Sequence, residues 1–116
     1  MTKEEKQLLL KNICSRFLYG VICTDLRHGD SKITEVNIED GLVYCFDFDE
    51  YVKIENCRLY LRPMSSMTEA EAAFVYNGHI EFFVKEDYCN KHHLDYWGLI
   101  EKDLALEAPS NMYNKE

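Results

Sequence analysis

The chain has 116 residues, and its 13 lysines and arginines stand against 21 aspartates and glutamates, for a net charge of −8 with neutral histidines. This length is typical of one domain, and a hydrophobic content of 47% excludes an intrinsically disordered protein. The acidic balance argues against a nucleic-acid-binding protein of the usual kind, because such proteins neutralise phosphates with lysine and arginine.

Two further classes are excluded by pattern. The apolar runs are shorter than the ~18 residues that a membrane-spanning helix needs, and the polar residues 2–7 lack the apolar core of a signal peptide. We therefore expect a cytoplasmic location and no membrane partner. The five cysteines are odd in number and widely spaced, which favours free thiols over disulfides. Three of them have apolar neighbours and are predicted to be buried, namely Cys14, Cys23 and Cys45.

Residues 1–20 are predicted to form a helix. Thr2 and Glu5 have the spacing of a capping box, in which each side chain accepts a hydrogen bond from the backbone N–H of the other residue. Gly20 is suited to end the helix because it tolerates a positive φ. The stripe predicted to face the core is Leu9, Leu10, Ile13, Cys14 and Phe17. The residues predicted to lie off that stripe are Lys3, Lys6, Lys11 and Arg16.

Residues 21–64 are predicted to form a small curved antiparallel sheet of four or five strands. Strands are predicted at 21–24, 33–38, 42–48 and 51–54. Connections as short as these exclude parallel crossovers and favour a meander. The third strand is predicted to place on one face Leu42, Tyr44, Phe46 and Phe48. Residues 56–63 resemble the helical turn that precedes the last strand of SH3-like barrels, so a small barrel is one expected form of the sheet.

Residues 65–109 are predicted to be the helical part of the single domain, which is expected to cover 1–116. Two overlapping capping boxes, starting at Ser66 and at Thr68, indicate a helix before the break at Asn77 and Gly78. Apolar residues at helical spacing predict a second helix that begins at Ile80 and ends at His92 or His93. A strand at 80–84 is the competing interpretation.

The last predicted elements are short. Asp95 is predicted to cap a helix over 96–103. Residues 104–108 are predicted to form an extended segment that packs on the sheet, and residues 110–116 are predicted to be frayed.

The segment 87–95 has the residue types most typical of a site. On a helix, Cys89 faces His92 and His93 at i+3 and i+4, and Asp95 follows closely. These four residues are the candidate metal ligands, although the spacing of a closed zinc site is not recognisable. Helix capping and aromatic packing explain the same histidines. No metal or other cofactor and no catalytic residue are therefore assigned.

The sheet region contains the most acidic stretch, since residues 25–55 have nine acidic and three basic side chains. Asp47, Asp49 and Glu50 lie at its centre. A solvated strand end that blocks edge pairing explains them. Alternatively, they form an acidic face that meets a basic partner or imitates the phosphates of a nucleic acid.

One basic and aromatic group is present, in which Arg58 and Arg62 flank Tyr60. Two arginines in so acidic a chain are a weak nucleic-acid footprint. We expect them to pair with nearby carboxylates instead.

Several stretches resemble a family of short, uncharacterised proteins of gut bacteria and their prophages. The two most distinctive stretches are YLRPMSSMTE at 60–69 and HHLDYWGLIEK at 92–102, the second continuing as LALEAP at 104–109. The start, EKQLLLK at 5–11, and YGVI at 19–22 are similar too, whereas 25–55 matches poorly. The resemblance implies a bacterial cytoplasmic accessory protein, carried on mobile DNA, and lends no catalytic residue.

The favoured function is a non-enzymatic protein-interaction or accessory module, with a protein partner whose identity the sequence does not name. Its interaction candidates are Asp47, Asp49, Glu50, Arg58 and Arg62. One alternative is a small metal-dependent enzyme that uses Cys89, His92, His93 and Asp95. A second is nucleic-acid binding or nucleic-acid mimicry. A homodimer is a further alternative, through the aromatic residues Phe82, Phe83 and Trp97.

Overall fold

A computed structural model describes residues 1–25 and 27–113. Helix α1 covers Lys3–Arg16, and a 3-10 turn continues it through Phe17–Tyr19. Glu5 N donates to Thr2 Oγ1 at 3.0 Å, and Thr2 N donates to Glu5 Oε1 at 2.8 Å, so the predicted capping box is confirmed. Gly20 follows the turn with a φ of 74°, which confirms the predicted end of the helix.

Six strands form one sheet, and the first four are the predicted antiparallel meander. The strands are β1 (Ile22–Asp25), β2 (Gly29–Asn37), β3 (Leu42–Cys45), β4 (Glu50–Lys53), β5 (Cys57–Leu61) and β6 (Ala105–Glu107). Their spatial order is β4-β3-β2-β1-β5-β6. A 3-10 turn, Ile54–Asn56, joins β4 to β5, which pairs antiparallel with β1.

The sheet is mixed and open, whereas the sequence predicts an antiparallel sheet of four or five strands. The extended segment predicted at 104–108 is β6, and it runs parallel to β5 with Leu106 opposite Tyr60. A parallel neighbour requires a long crossover. The chain between β5 and β6 supplies one, since it contains both remaining helices.

Helices α2 (Glu69–Val75) and α3 (Phe82–Lys91) lie in that crossover. The capping box of α2 is the one that starts at Thr68, whereas Ser66 lies in a preceding 3-10 turn. Since α3 begins at Phe82, the competing interpretation of 80–84 as a strand is wrong.

The helix predicted over 96–103 is replaced by consecutive turns. Asp95 still acts as a cap, since its carboxylate accepts hydrogen bonds from Leu99 N at 2.7 Å and Ile100 N at 2.9 Å. Gly98 has a φ of 75° and Asp103 a φ of 60°, and these left-handed conformations are incompatible with a continuous α-helix.

Strand β3 is shorter than predicted and buries the opposite face. It ends at Cys45, whose carbonyl oxygen accepts hydrogen bonds from Phe48 N and Asp49 N and so closes a turn. Val43 and Cys45 point into the core, while Leu42 and Tyr44 lie on the outer face. The predicted alternation through residue 48 therefore stops at the turn.

The main core lies between α1 and the sheet. Its fully buried members include Leu9 and Ile13 from α1 and Val43, Ile54 and Leu59 from the sheet region. A second, smaller core joins α2 and α3 through Val75, Cys89 and Leu94.

Two predictions about α1 side chains are wrong. Arg16 is fully buried, although the sequence places it off the apolar stripe. Its guanidinium donates to Leu94 O at 2.7 Å and to Asn12 Oδ1 at 3.3 Å, and these bonds replace part of the water that an exposed arginine would bind. Cys14 is exposed, whereas Cys23 and Cys45 are buried as predicted.

The chain after Ser110 is expected to be frayed, but Tyr113 is bonded to the sheet. Its hydroxyl accepts from Ile22 N at 2.8 Å and donates to Tyr60 O at 2.7 Å. Its ring stacks on His93 with 3.7 Å between centroids. The rest of the predicted frayed tail, 114–116, lies outside the described residues.

Candidate functional site

A groove of about 850 Å³ opens between β4 on one side and the end of β1 and start of β5 on the other. Tyr51, Val52 and Lys53 all line it. Because side chains of consecutive strand residues alternate between faces, a strand that lines a groove with three in a row presents its edge. β4 is the outermost strand and pairs with β3 along one edge, and no strand in the described part of the chain pairs with its other edge, which borders the groove.

The groove combines apolar walls with unpaired positive charge. Leu42 and Leu106 supply most of the aliphatic surface, since Val52, which also lines the groove, is only 5% exposed. Three cations surround it, namely Arg27 after β1, Lys53 on β4 and Arg58 on β5. Over residues 1–25 and 27–113, none of the three forms an ion pair.

The two acidic residues of the groove are already engaged. Asp25 is buried, and its carboxylate accepts from Arg27 N at 3.1 Å and contacts His28 Nδ1 at 3.0 Å. The backbone N–H of Arg27, then His28, and also the charge of Arg27 lower the pKa of Asp25. Glu55 pairs with Lys6 at 3.4 Å. The groove therefore has three cations against two carboxylates, in a protein of net charge −8.

Three thiols lie in the core near Asp25. Cys23 and Cys45 are fully buried with 3.8 Å between their sulfurs, and Cys57 Sγ contacts Lys53 O at 3.6 Å. The contact with Cys45, followed by that with Cys57 and by burial, raises the pKa of Cys23. The Cys23 thiol is therefore protonated at neutral pH and is a core residue rather than a nucleophile.

The residues of the predicted acidic face lie in and beside the turn between β3 and β4, where their carboxylates contact neighbouring groups of the protein. Asp47 accepts from Lys32 N at 3.1 Å, and Asp49, with a φ of 56°, accepts from the hydroxyl of Tyr44. Glu50 contacts His28 Nε2 at 3.3 Å. Because residues 46–49 form a turn, Asp47 and Asp49 do not share the face of a strand as predicted.

The two candidate arginines have different surroundings. Arg58 lines the groove and donates to Cys57 O at 3.4 Å, and its predicted pairing with a carboxylate is wrong, since it forms no ion pair within 1–25 and 27–113. Arg62 instead donates two hydrogen bonds to Glu71, at 2.7 and 2.9 Å, which is the carboxylate pairing that the sequence predicts. Of the five predicted interaction residues, Arg58 is the one that lines the groove.

The four candidate metal ligands point to separate places. Cys89 is buried in the smaller core, and the ring of His92 lies tilted against that of Tyr88, with 4.3 Å between centroids. His93 packs on the tail, and Asp95 caps a turn, as described above. No cluster of three or more metal-ligating side chains occurs within 1–25 and 27–113. The geometry thus gives the metal-dependent enzyme no site at these residues.

The aromatic residues of the proposed dimer seam are only partly available. Phe82 and Phe83 are 54% and 63% exposed. Trp97 donates to Glu86 at 3.0 Å and lies beneath the ammonium group of Lys11. The homodimer stays a prediction.

Sequence reasoning missed Arg27 and Lys53 as site residues. Arg27 lies in the turn between β1 and β2, and Lys53 is 26 positions further along in the printed sequence. A signal was present, since these two and Lys32 are the only basic residues of the acidic segment 25–55. Their convergence with Arg58 depends on strand order, which local patterns do not specify.

Comparisons with family models, curated proteins and solved structures find no match to this chain. The helices in the described part of the chain are too short or too polar to cross a membrane.

Proposed function

We propose that this protein is a non-enzymatic protein-interaction module that binds its partner in the groove between β4 and β5. The observation that carries the proposal is the set of three unpaired cations around an apolar cleft bordered by a free strand edge. A bound polypeptide can cover the apolar surface, form hydrogen bonds with the free backbone groups and pair with the charges at the same time.

The groove supports this function better than the acidic turn does. Asp47, Asp49 and Glu50 already accept contacts within the protein, so a basic partner would have to compete with them. Arg27, Lys53 and Arg58 form no ion pair among the described residues, although the charges of Arg27 and Lys53 help to lower the pKa of Asp25 and of Glu55.

A display library of random peptides, selected on the immobilised protein, tests the proposal. Parallel selections use Arg58→Glu and the control Lys102→Glu, which makes the same charge change at an exposed residue outside the groove. We expect peptides that bind the native protein and the control but not Arg58→Glu, with equal urea midpoints for all three proteins. Peptides retained equally by Arg58→Glu, or no enriched peptide, would overturn the groove as the binding site.

We also propose that the sheet curls toward an SH3-like barrel. The support is the three-residue turn Ile54–Asn56, which joins β4 to β5 although β3, β2 and β1 lie between them in the strand order. So short a connection requires the two strand ends to be close, and a flat sheet would keep them about four strand spacings of ~4.8 Å apart.

The cytoplasmic location and the kinship with short proteins of gut bacteria and prophages are parts of the same proposal. The support for the location is that all five cysteines are free. Free thiols are typical of reducing compartments.

A further inference from the structure

We infer that the occupant of the groove is an acidic peptide segment that binds in an extended conformation, as an additional strand along β4. This inference rests on the proposed function, and it names the chemistry of the partner.

The free edge of β4 presents backbone groups in the right alternation. Ile54 N donates to Gly41 O at 3.0 Å, which identifies Gly41 and Ile54 as a hydrogen-bonded pair of the antiparallel ladder. Such pairs alternate with non-hydrogen-bonded ones. Lys53 opposite Leu42, and Tyr51 opposite Tyr44, are therefore non-hydrogen-bonded pairs. The N–H and C=O groups of Tyr51 and the N–H of Lys53 therefore point away from β3, toward the groove, whereas Lys53 O already accepts from the thiol of Cys57 at 3.6 Å.

An added strand satisfies those groups, which is how sheet edges recognise extended peptides. Strand β4 is short, so the ladder alone provides few bonds. Alternate side chains of the bound segment must therefore contribute the remaining affinity and the specificity.

Charge selects an acidic segment. Arg27, Lys53 and Arg58 surround the cleft without ion pairs in the described chain, while Asp25 and Glu55 are held by His28 and Lys6. A segment with carboxylates beside small apolar residues would place charge near the cations and methyl groups near Leu42, Val52 and Leu106. A basic segment would leave these three cations unpaired, and its own positive charges would be repelled by them.

A nucleic acid is disfavoured as the occupant by the same observations. Its phosphates need many cations, and this protein offers three in the groove against a net charge of −8. A nucleic acid also has no peptide backbone that could add to the edge of β4 as a further strand.

The test uses labelled octapeptides that alternate Glu with Val or Thr, together with two matched forms. One replaces every Glu with Gln, and the other has N-methyl groups on alternate backbone amides. Fluorescence anisotropy at fixed salt gives the affinity, and NMR hydrogen exchange follows the amides of Tyr51 and Lys53. Lys53→Glu and Arg58→Glu serve as groove variants, and Lys102→Glu serves as the control.

We expect the acidic octapeptide to bind about tenfold or more tightly than either matched form. We expect it to slow exchange at Tyr51 and Lys53, and we expect both groove variants, but not Lys102→Glu, to abolish binding. Equal binding of the Gln or N-methyl form, or unchanged exchange at those amides, would overturn the inference. So would equally tight, Arg58-dependent binding of a single-stranded oligonucleotide.

The display selection separates this inference from the proposed function. Arg58-dependent peptides that are neutral or basic would leave the groove as a binding site and refute only the acidic extended segment. A selection without any Arg58-dependent peptide would refute both.

Discussion

The ion pair between Arg62 and Glu71 shows how a single residue can serve two elements. Arg62, which directly follows β5, donates hydrogen bonds from Nη1 and Nη2 to the carboxylate of Glu71. The same carboxylate accepts a hydrogen bond from Thr68 N at 2.9 Å as part of the α2 capping box. The hydrogen bonds from Arg62 are the main cause that lowers the pKa of Glu71 to about 2. The carboxylate thus joins the sheet to α2 as long as it is charged.

Glu71→Gln is expected to lower the free energy of unfolding at pH 7 by about 2 kcal/mol, because the amide keeps the cap but loses the charged pair. Since folding lowers this pKa from 4.5 to about 2, the wild-type advantage is complete above pH 4.5 and disappears as the pH falls through 2. Urea denaturation of both proteins at several pH values measures this. Parallel pH profiles would contradict the assignment.

The connection between α1 and β1 illustrates what an element boundary requires. The 3-10 turn that extends α1 can reverse into β1 because Gly20 adopts a φ of 74°. A Cβ at this position would meet only Lys32 Cε at 3.9 Å, an ordinary contact. The requirement for glycine is therefore a property of the backbone and not of the surrounding space.

Gly20→Ala is expected to destabilise the protein by about 1 kcal/mol or more, since alanine is strained at positive φ. Gly78→Ala is the matched control. Gly78 has no positive φ, and the methyl group of an alanine there would meet no atom within 4 Å, so this change should be neutral or stabilising by about 0.4–1 kcal/mol. Urea midpoints at equal m-values compare the two. Similar losses at both positions would refute the conformational explanation.

At the scale of the whole molecule, several elements meet around His93. Arg16 of α1 and Arg62 after β5 lie nearby as positive charges, Tyr113 of the tail stacks on the ring, and His93 O accepts from Arg62 N at 2.7 Å. Burial, followed by the charge of Arg16, lowers the pKa of His93 to about 4. The junction is therefore built for a neutral imidazole.

Acid is expected to weaken this junction. Between pH 6.5 and about 4, the unfolded chain takes up a proton at His93 that the folded protein excludes, so stability falls by about 3 kcal/mol as the pH drops through that window. His93→Asn tolerates the positive φ of this position and should flatten the decline, at some cost in stability at pH 7. Denaturation curves from pH 4 to 7 test this. An unchanged slope in the variant would locate the titrating group elsewhere.

Much of the local structure could be predicted because its causes are local. The capping boxes at Thr2 and Thr68, and the glycine after α1, depend on residues only a few positions apart, and all three are confirmed. The helix predicted over 96–103 failed because Gly98 and Asp103 take left-handed conformations that apolar spacing does not reveal.

The candidate site could be predicted only in part. The charge of Arg58 beside an aromatic residue predicts it as an interaction residue, and the groove includes it, whereas Arg62 pairs with Glu71. The sequence does not predict Arg27 and Lys53 as site residues, because their nearness to Arg58 results from the pairing of β5 with β1 and the return of the chain from β4.

The sequence by itself determined the α+β composition, the antiparallel hairpins, the helix caps and the concentration of acidic residues between 25 and 55. Only the tertiary structure decided that β6 lies parallel to β5, that Arg16 is buried, and that three cations of an acidic chain meet at one free strand edge. The physical reason is the distance along the chain over which each feature is decided. Caps and turns depend on residues that are neighbours in sequence, whereas the burial of a side chain and the charge of the groove depend on distant segments that the strand order brings together.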